Sequence, residues 1–252
     1  MNVDASGTVR LELQGPLARV VLDRPRKRNA LSTHMLTELD ARLTTVAEHS
    51  EVRVVIVEGA GTVFCAGADT AEFGGLSSEL IRGRWTRLGQ RVFGSLAGLP
   101  QTTIAAMDGS AFGGGLELAL HCDFRVASAG IGIGLPEATL GTTPGWSGLS
   151  RVLGVAGPSA ARILAMTGRT LSAEDALRLG IIDFLAPEHG VEAHVRQLVD
   201  DVLQTTPVAQ CILKQALAQP GPGGLSSLVD SLAGAYLAET GETIPNPLRR
   251  SQ

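Results

Sequence analysis

Short apolar runs, many of them β-branched, alternate along the first two thirds of the chain with longer stretches of helical spacing. The runs are Val9–Leu13, Arg19–Leu22, Val52–Val57, Thr103–Met107 and Phe124–Ala127, and each gives way within a few residues to Gly, Pro or Asp. Leu11 and Leu13 alternate before Gly15-Pro16 and Val20 and Leu22 after it, which predicts a hairpin. Between the runs, Met35, Leu36, Leu39, Leu43 and Val46 recur three and four apart, so Thr33–His49 is predicted as a helix with one apolar face. Glu79–Leu99 and the shorter Gly115–Cys122 read the same way. Strands alternating with helices predict an α/β fold built on parallel strands.

From Pro158 onward the pattern is almost wholly helical, interrupted by a short apolar piece at Ile181–Leu185. Ser172–Gly180 carries a serine where a helix cap belongs and a glycine where the helix should stop. The break Gln219-Pro-Gly-Pro-Gly-Gly224 separates two of the last helices. No short-period repeat or low-complexity tract is present.

Composition narrows the class. At 252 residues the chain can form one large domain, or a core with an appendage. Charged residues supply 18%, below the usual quarter, which suits a body with much of its surface covered, as in an oligomer. A formal charge of −4 leaves no basic footprint and argues against a nucleic-acid partner. The three cysteines form no CxxC, so neither a disulfide framework nor a zinc knuckle is expected. Asp4, Arg10, Glu12 and Arg19 do not fit a signal peptide, and no apolar run reaches membrane-spanning length. A cytoplasmic protein without a membrane segment is the expectation.

The common site motifs fail one by one. Gly59-Ala-Gly61 follows a strand as in a dinucleotide fingerprint, but Phe64 stands where the third glycine belongs. Neither Lys27 nor Lys214 follows a glycine, which excludes a P-loop. Gly145-Trp-Ser147-Gly148 approaches a nucleophile elbow and misses it at Leu149. The five histidines show no metal spacing, and His121 and Cys122 read as structural.

What remains is glycine-flanked backbone and two carboxylates. In "FCAGAD" (Phe64–Asp69) a strand end turns through Gly67, exposing amides near Ala68. In "AFGGG" (Ala111–Gly115) a helix begins, and its first N–H groups lack internal partners. Aimed at one point, such donors make an oxyanion hole; otherwise they are two tight turns. Glu117 sits amid apolar residues and Glu137 follows Pro136 in "LPEATLG". Read singly, the first could lie on a solvent face and the second could cap a turn.

Together and in order, "RNAL" (Arg28–Leu31), "FCAGAD", "AFGGGLELALHCD" (Ala111–Asp123) and "LPEATLGTTPG" (Leu135–Gly145) resemble the crotonase, or enoyl-CoA hydratase/isomerase, superfamily and in particular its hydratases. The resemblance covers roughly residues 8 to 240, continuing through Thr167–Asp183 and "ILKQAL" (Ile212–Leu217). It implies a spiral α/β core of repeated ββα units over residues 1–190 and a helical oligomerisation region over 191–252. It also implies a homotrimer or dimer of trimers.

By resemblance, the thioester carbonyl of an acyl-CoA sits between the amides of Ala68 and Gly114. Glu117 then activates water and Glu137 delivers a proton to the α-carbon, while Gly145 helps hold the water. Arg26, Arg28 and Ala30, within Arg24–Ala30, cradle coenzyme A together with Ala66, Gly67 and Asp69. Coenzyme A belongs to the substrate, so no separate cofactor and no metal is implied. Trp146, just after Gly145, is a candidate wall of the acyl pocket with Trp85 as a second, the alternative for either being a place in the core or at a subunit contact.

Several positions depart from the family pattern. Thr62 and Thr102 replace common basic residues, Trp146 replaces a small one, and "GETIPNPLRRSQ" after Thr240 lacks the usual final amphipathic helix. A biosynthetic acyl-CoA, or an acyl group on a carrier protein, therefore stays open as substrate. The resemblance leaves three alternatives to hydration: isomerase-like or other enolate chemistry, a non-catalytic scaffold subunit and, disfavoured by Phe64, an NAD-dependent oxidoreductase.

Overall fold

The computed structural model describes residues 6–218 and the single position Gly234. An antiparallel hairpin of β1 (Thr8–Gln14) and β2 (Leu17–Asp23) turns at Gly15-Pro16, as its alternation predicts. Its register sets Val9 opposite Leu22, and both are fully buried. Ser32 caps the next element, α1 (Thr33–Glu48), its Oγ accepting from the Met35 N–H at 3.2 Å. The helix buries all five residues that predicted it. Full burial of side chains of this size contributes about 2 kcal/mol each.

Three further circuits of the chain repeat one plan, a strand, a shorter strand and then helix. The first runs β3 (Val54–Gly59), β4 (Val63–Cys65), then α2 (Thr70–Gly74), α3 (Ser78–Leu80) and α4 (Thr86–Ala97). A π-helical turn, Ile81–Trp85, joins α3 to α4. The second runs β5 (Thr102–Met107), β6 (Ser110–Phe112) and α5 (Gly114–Ala119). The third runs β7 (Phe124–Ser128), β8 (Gly132–Gly134) and α6 (Gly148–Thr167). β9 (Leu171–Ser172), α7 (Ala173–Arg178), β10 (Phe184–Ala186) and α8 (Val191–Leu203) follow.

The first strand of each circuit joins a six-stranded sheet, β1-β2-β3-β5-β7-β10, parallel except for the hairpin. The second strands build a separate sheet, β4-β6-β8-β9, with only β9 antiparallel. This is the repeated ββα core expected from the sequence. Alternate residues of β3 serve opposite faces: Val55 and Val57 enter the main core, Val54 and Ile56 a second cluster. Both faces are covered, and so β3 reads as an unbroken apolar run.

That second cluster is completed by Val191, Val195, Val199 and Val202 of α8. The first compact unit accordingly extends to Gln204 and takes in α8, which the sequence reading places with the C-terminal region starting at 191. A second unit begins at Thr205. Its described helix, α9 (Pro207–Leu217), starts with Pro207 and is capped by Thr206 Oγ1, which accepts from the Ala209 N–H. The Gln219–Gly224 break and the residues after Thr240 lie outside the described residues.

Some boundaries differ from the pattern. α6 begins at Gly148 rather than Pro158, because Gly157 (φ 75°, ψ 179°) kinks the helix and Pro158 restarts it. The helix expected over Gly115–Cys122 ends early, since the His121 N–H turns back to the Leu118 carbonyl at 3.0 Å. Among the described residues, no helix is long and apolar enough to cross a membrane.

Candidate active site

The small sheet brings the motifs together. Strands β4, β6 and β8 are parallel neighbours, with Cys65 beside Ala111 and Phe112 beside Gly134. Their carboxyl ends therefore release three turns side by side, the usual place for ligands on parallel strands. These turns carry Ala66–Asp69, Gly113–Gly115 and Leu135–Glu137.

In the first two turns, the spare backbone donors are the Ala68 N–H and the opening N–H groups of α5, of which Gly114 is the nearest to Ala68. Ala66 donates to the Arg28 carbonyl at 2.9 Å, Gly67 to Cys65 Sγ at 3.4 Å, and Asp69 to the Leu31 carbonyl at 2.9 Å. The Ala68 N–H donates to no group among the described residues. In the second turn Gly113 donates to the Gly134 carbonyl at 2.9 Å, and Gly114 opens α5, where an N–H has no partner within the helix. The Ala68 and Gly114 amides are close, since a Cβ built on Gly114 would lie 3.4 Å from Ala68 N. Gly67 makes this approach possible. It sits at φ +97°, and a Cβ there would lie 2.8 Å from the Phe112 carbonyl oxygen.

Glu117 projects from α5 and is 2% exposed. Its Oε1 accepts the Trp146 N–H at 2.8 Å and the Gly148 N–H at 2.7 Å. Burial nevertheless pushes the carboxyl up to about 7, with the charge of Glu137 adding to the rise and the amides of Gly148, Trp146 and Gly145 opposing it. Glu137 lies on the 3₁₀ turn Pro136–Leu140, and a Cβ on Gly113 would stand 3.0 Å from its Oε1. Its Oε2 is buried with no hydrogen-bond partner among the described residues, and burial raises this carboxyl too. The site thus holds two carboxyls biased toward their neutral forms. One is fixed by backbone amides and the other keeps an unpartnered oxygen.

His121 belongs to the scaffold. Burial lowers its imidazole to about 4, and its Nδ1 lies 2.7 Å from the Glu117 carbonyl, where a neutral ring donates. Among the described residues, no cluster of His, Cys, Asp and Glu could hold a metal ion.

The residues expected around coenzyme A divide. Arg26 and Arg28 are exposed on the turn Pro25–Lys27 and its cap. Arg28 and Asn29 both adopt left-handed backbone, at φ 51° and 55°. Asn29, which the motif reading passed over, holds that turn in place. Its Oδ1 accepts the Arg24 N–H at 2.9 Å, and its Nδ2 donates to the carbonyls of Ala60, Val63 and Phe64. Ala30 and Ala66 are engaged through backbone: the Ala30 carbonyl accepts from Arg24 Nη1, and the Ala66 N–H goes to Arg28.

Asp69 proves to be structural. Its Oδ2 meets Arg24 Nη1 at 2.7 Å, and its Oδ1 caps α2 by accepting from Ala71 and Glu72. Both oxygens are engaged within the protein, so this side chain fixes the turn that carries Ala68.

For Trp146 the core is where the indole lies. Its indole is 1% exposed and packs in the core against Trp85 and Phe93, at centroid distances of 4.5 and 5.3 Å. Its backbone N–H reaches Glu117, and its ring lies against Gly114 from the core side. Trp85 lines a cavity of about 220 Å³, with Leu76, Leu80, Leu88, Thr33, Glu72 and Arg84. Gly145 turns its carbonyl to Gln90 Nε2 at 3.0 Å and its amide toward Glu117.

Comparison with known proteins gives a consistent result. The sequence matches the family described as enoyl-CoA hydratase/isomerase over residues 12–222. It is 36% identical to a short-chain-enoyl-CoA hydratase of Clostridium acetobutylicum over 82% of this chain and 79% of that protein. It is 34% identical to a crotonyl-CoA hydratase of Syntrophomonas wolfei, with the same coverage. Among solved structures, an enoyl-CoA hydratase from Bacillus anthracis superposes with a TM-score of 0.87 at 33% identity, covering 92% of this chain and 91% of that one.

Proposed function

This chain belongs to the enoyl-CoA hydratase/isomerase family, and on that premise we propose how its site adds water to a 2-enoyl-CoA. The thioester oxygen lies between the N–H groups of Ala68 and Gly114. As water attacks the β-carbon, negative charge gathers on that oxygen, and two fixed donors stabilise it more than they stabilise the ground state. Glu117, ionised, takes a proton from the attacking water, while neutral Glu137 gives one to the α-carbon. Turnover leaves Glu117 protonated and Glu137 ionised, and proton exchange restores the pair. The reverse sequence dehydrates a 3-hydroxyacyl-CoA.

The observation that carries this reading is the meeting of two buried, upward-shifted carboxyls with two spare amides on neighbouring turns. Hydration needs an acid and a base at once, and unlike environments keep one of each available near neutral pH. Addition of water changes no oxidation state overall, so the reading needs no redox cofactor. The exposed Arg26 and Arg28 supply cations for the coenzyme A phosphates. The cavity beside Trp85, walled by Leu76, Leu80 and Leu88, is assigned to the acyl tail.

A cytoplasmic trimer, or a dimer of trimers, completes the proposal. Leu149 and Leu153 stand one turn apart on α6, and both are more than two-fifths exposed, which supports a covered face there. The direct test is incubation with crotonyl-CoA. Loss of the conjugated enoyl absorbance without any nicotinamide supports hydration, and its persistence at all enzyme concentrations refutes it. Light scattering on the same sample tests the assembly.

A further inference from the structure

Trp146 connects the two halves of this site. Its backbone N–H donates to Glu117 Oε1 at 2.8 Å. Its indole lies between two glycines far apart in sequence. A Cβ on Gly89 of α4 would overlap Nε1 and Cδ1 of the five-membered ring. A Cβ on Gly114 would overlap Cζ3 and stand 2.7 Å from Cε3 of the six-membered ring. Trp85 lies against the indole, tilted by 42° with ring centroids 4.5 Å apart, and Phe93 meets it nearly edge-on at 75°. The indole Nε1 is buried with no hydrogen-bond partner among the described residues, so close packing alone fixes the ring.

We infer that Trp146 is a positioning residue, its indole seated on Gly89 so that the Glu117 carboxylate and the Gly114 amide keep one fixed relation. The inference rests on the catalytic roles assigned above to Glu117 and Gly114. The same residue bonds the carboxylate through its backbone and packs against the amide-bearing glycine through its ring. A shift of that ring therefore disturbs both. Gly89 matters because any side chain there would push the indole toward Gly114.

The test joins two variants with two readouts. Gly89→Ala displaces the ring without altering Glu117, Gly114 or Trp146, whereas Trp146→Ala removes the ring and keeps the backbone N–H. Each folded variant is expected to lose about tenfold or more in kcat with crotonyl-CoA, and KM is expected to change less. Gly89→Ala introduced into Trp146→Ala should cost no more than about twofold further, because the ring it would strike has gone.

The second readout needs no turnover: titration of the Glu117 carboxyl by carbon NMR of glutamate-labelled protein. The amide bonds hold this carboxyl below the value that burial alone would give. Loosening them is expected to move its titration to higher pH in both variants. Facing groups that could also contribute are Glu137, His121 at the Glu117 carbonyl, and Arg151 near His121. Glu137→Gln labelled in parallel separates the first of these.

Folded variants with wild-type kcat and an unmoved Glu117 titration would overturn the inference and reduce Trp146 to packing. If the wild-type protein fails to hydrate crotonyl-CoA, the proposed function falls instead. The titration still decides the positioning claim, with an upward shift supporting it and no shift refuting it.

Discussion

The Gly148 N–H, at the first residue of α6, donates to Glu117 Oε1 at 2.7 Å, so a carboxylate from one helix is held at the start of another. The bond orients Glu117 and favours its charged form, yet burial outweighs it and leaves the carboxyl near neutrality. A group held this way can accept a proton readily and is costly to keep ionised. Both properties follow from the same few contacts, and they predict opposite effects on activity and on stability.

On activity, Glu117→Gln and Glu137→Gln should each lower kcat by at least about 100-fold, the lower end for a positioned acid or base. The double variant should lose less than the product of the two, since the carboxyls act on one water and one substrate as a unit. Steady-state hydration of crotonyl-CoA by folded protein measures all three. Near wild-type kcat in either single variant would remove that residue from the chemistry.

On stability, the sign is reversed. The ordinary value for the Glu117 carboxyl is 4.5 and its folded value is about 7. Between those two values the folded protein retains a proton that the unfolded chain has released. Stability is therefore full below 4.5 and declines as pH rises, reaching a loss of about 3 kcal/mol once the folded group has ionised. A glutamine side chain in its place has no proton to lose and still offers an oxygen to both amide bonds. Glu117→Gln should thus be more stable than wild type by about that amount at about pH 8, and indistinguishable from it at about pH 4.5. Urea unfolding at the two pH values checks this. An equal gain at both would assign the effect to something other than ionisation.

The sequence announces these carboxylates but not their surroundings. Helices such as α1 are legible because five residues repeat a period that burial enforces, and strands such as β3 because cover on both faces leaves a continuous apolar run. The small sheet is not, since β4, β6, β8 and β9 span three residues or fewer, and Gly132 and Gly134 make β8 resemble a loop. Yet the parallel register of that sheet is what sets Ala68 beside Gly114. Motif order carried the site where periodicity could not. Between pocket wall and core the sequence leaves Trp146 open, because its burial depends on the absence of a side chain at Gly89 and Gly114. Asn29 escaped because a left-handed turn held by four side-chain bonds looks in sequence like any short polar stretch.

Asp69 joins an ion pair to a helix cap, and that role is measurable. Burial pushes its carboxyl up, but the Arg24 hydrogen bond and charge, with the α2 cap, bring it below the ordinary 3.8. A depressed folded value means the contribution is present above 3.8 and is lost as pH falls through the folded value. The pair is largely buried, with side chains 9% and 13% exposed, so removing one charge takes this ion pair from the other. Asp69→Asn should cost about 3 kcal/mol at neutral pH, much of it lost pairing for Arg24. The difference from wild type should narrow in acid, as the wild-type carboxyl takes up its own proton. Thermal unfolding across that range checks the prediction, and a variant as stable as wild type at neutral pH would refute it. Because Asp69 adjoins Ala68, kcat should fall as well. An unchanged KM for the coenzyme A moiety would show that the side chain does not bind it.

Gly114 separates the need for a donor from the need for space. Gly114→Pro deletes the N–H and alters the start of α5, so catalysis should fall by about 100-fold or more, the scale for losing one oxyanion donor. Gly114→Ala keeps the donor, and in an open turn it would be mild. Here it is not mild, because the new Cβ would overlap the Trp146 ring, which is pinned by Gly89, Trp85 and Phe93. Overpacking of this kind costs about 1–3 kcal/mol and shifts backbone by tenths of an ångström. The alanine variant should therefore lose both stability and kcat, and Gly114→Ala combined with Trp146→Leu should recover most of the stability by making room. Recovery of kcat is expected to be incomplete, since the shorter side chain no longer seats the amide. Urea unfolding and crotonyl-CoA hydration on the single and double variants read the two effects apart. A Gly114→Ala protein with wild-type stability and turnover would mean that the ring yields, and that the close fit between Gly114 and Trp146 constrains neither folding nor catalysis.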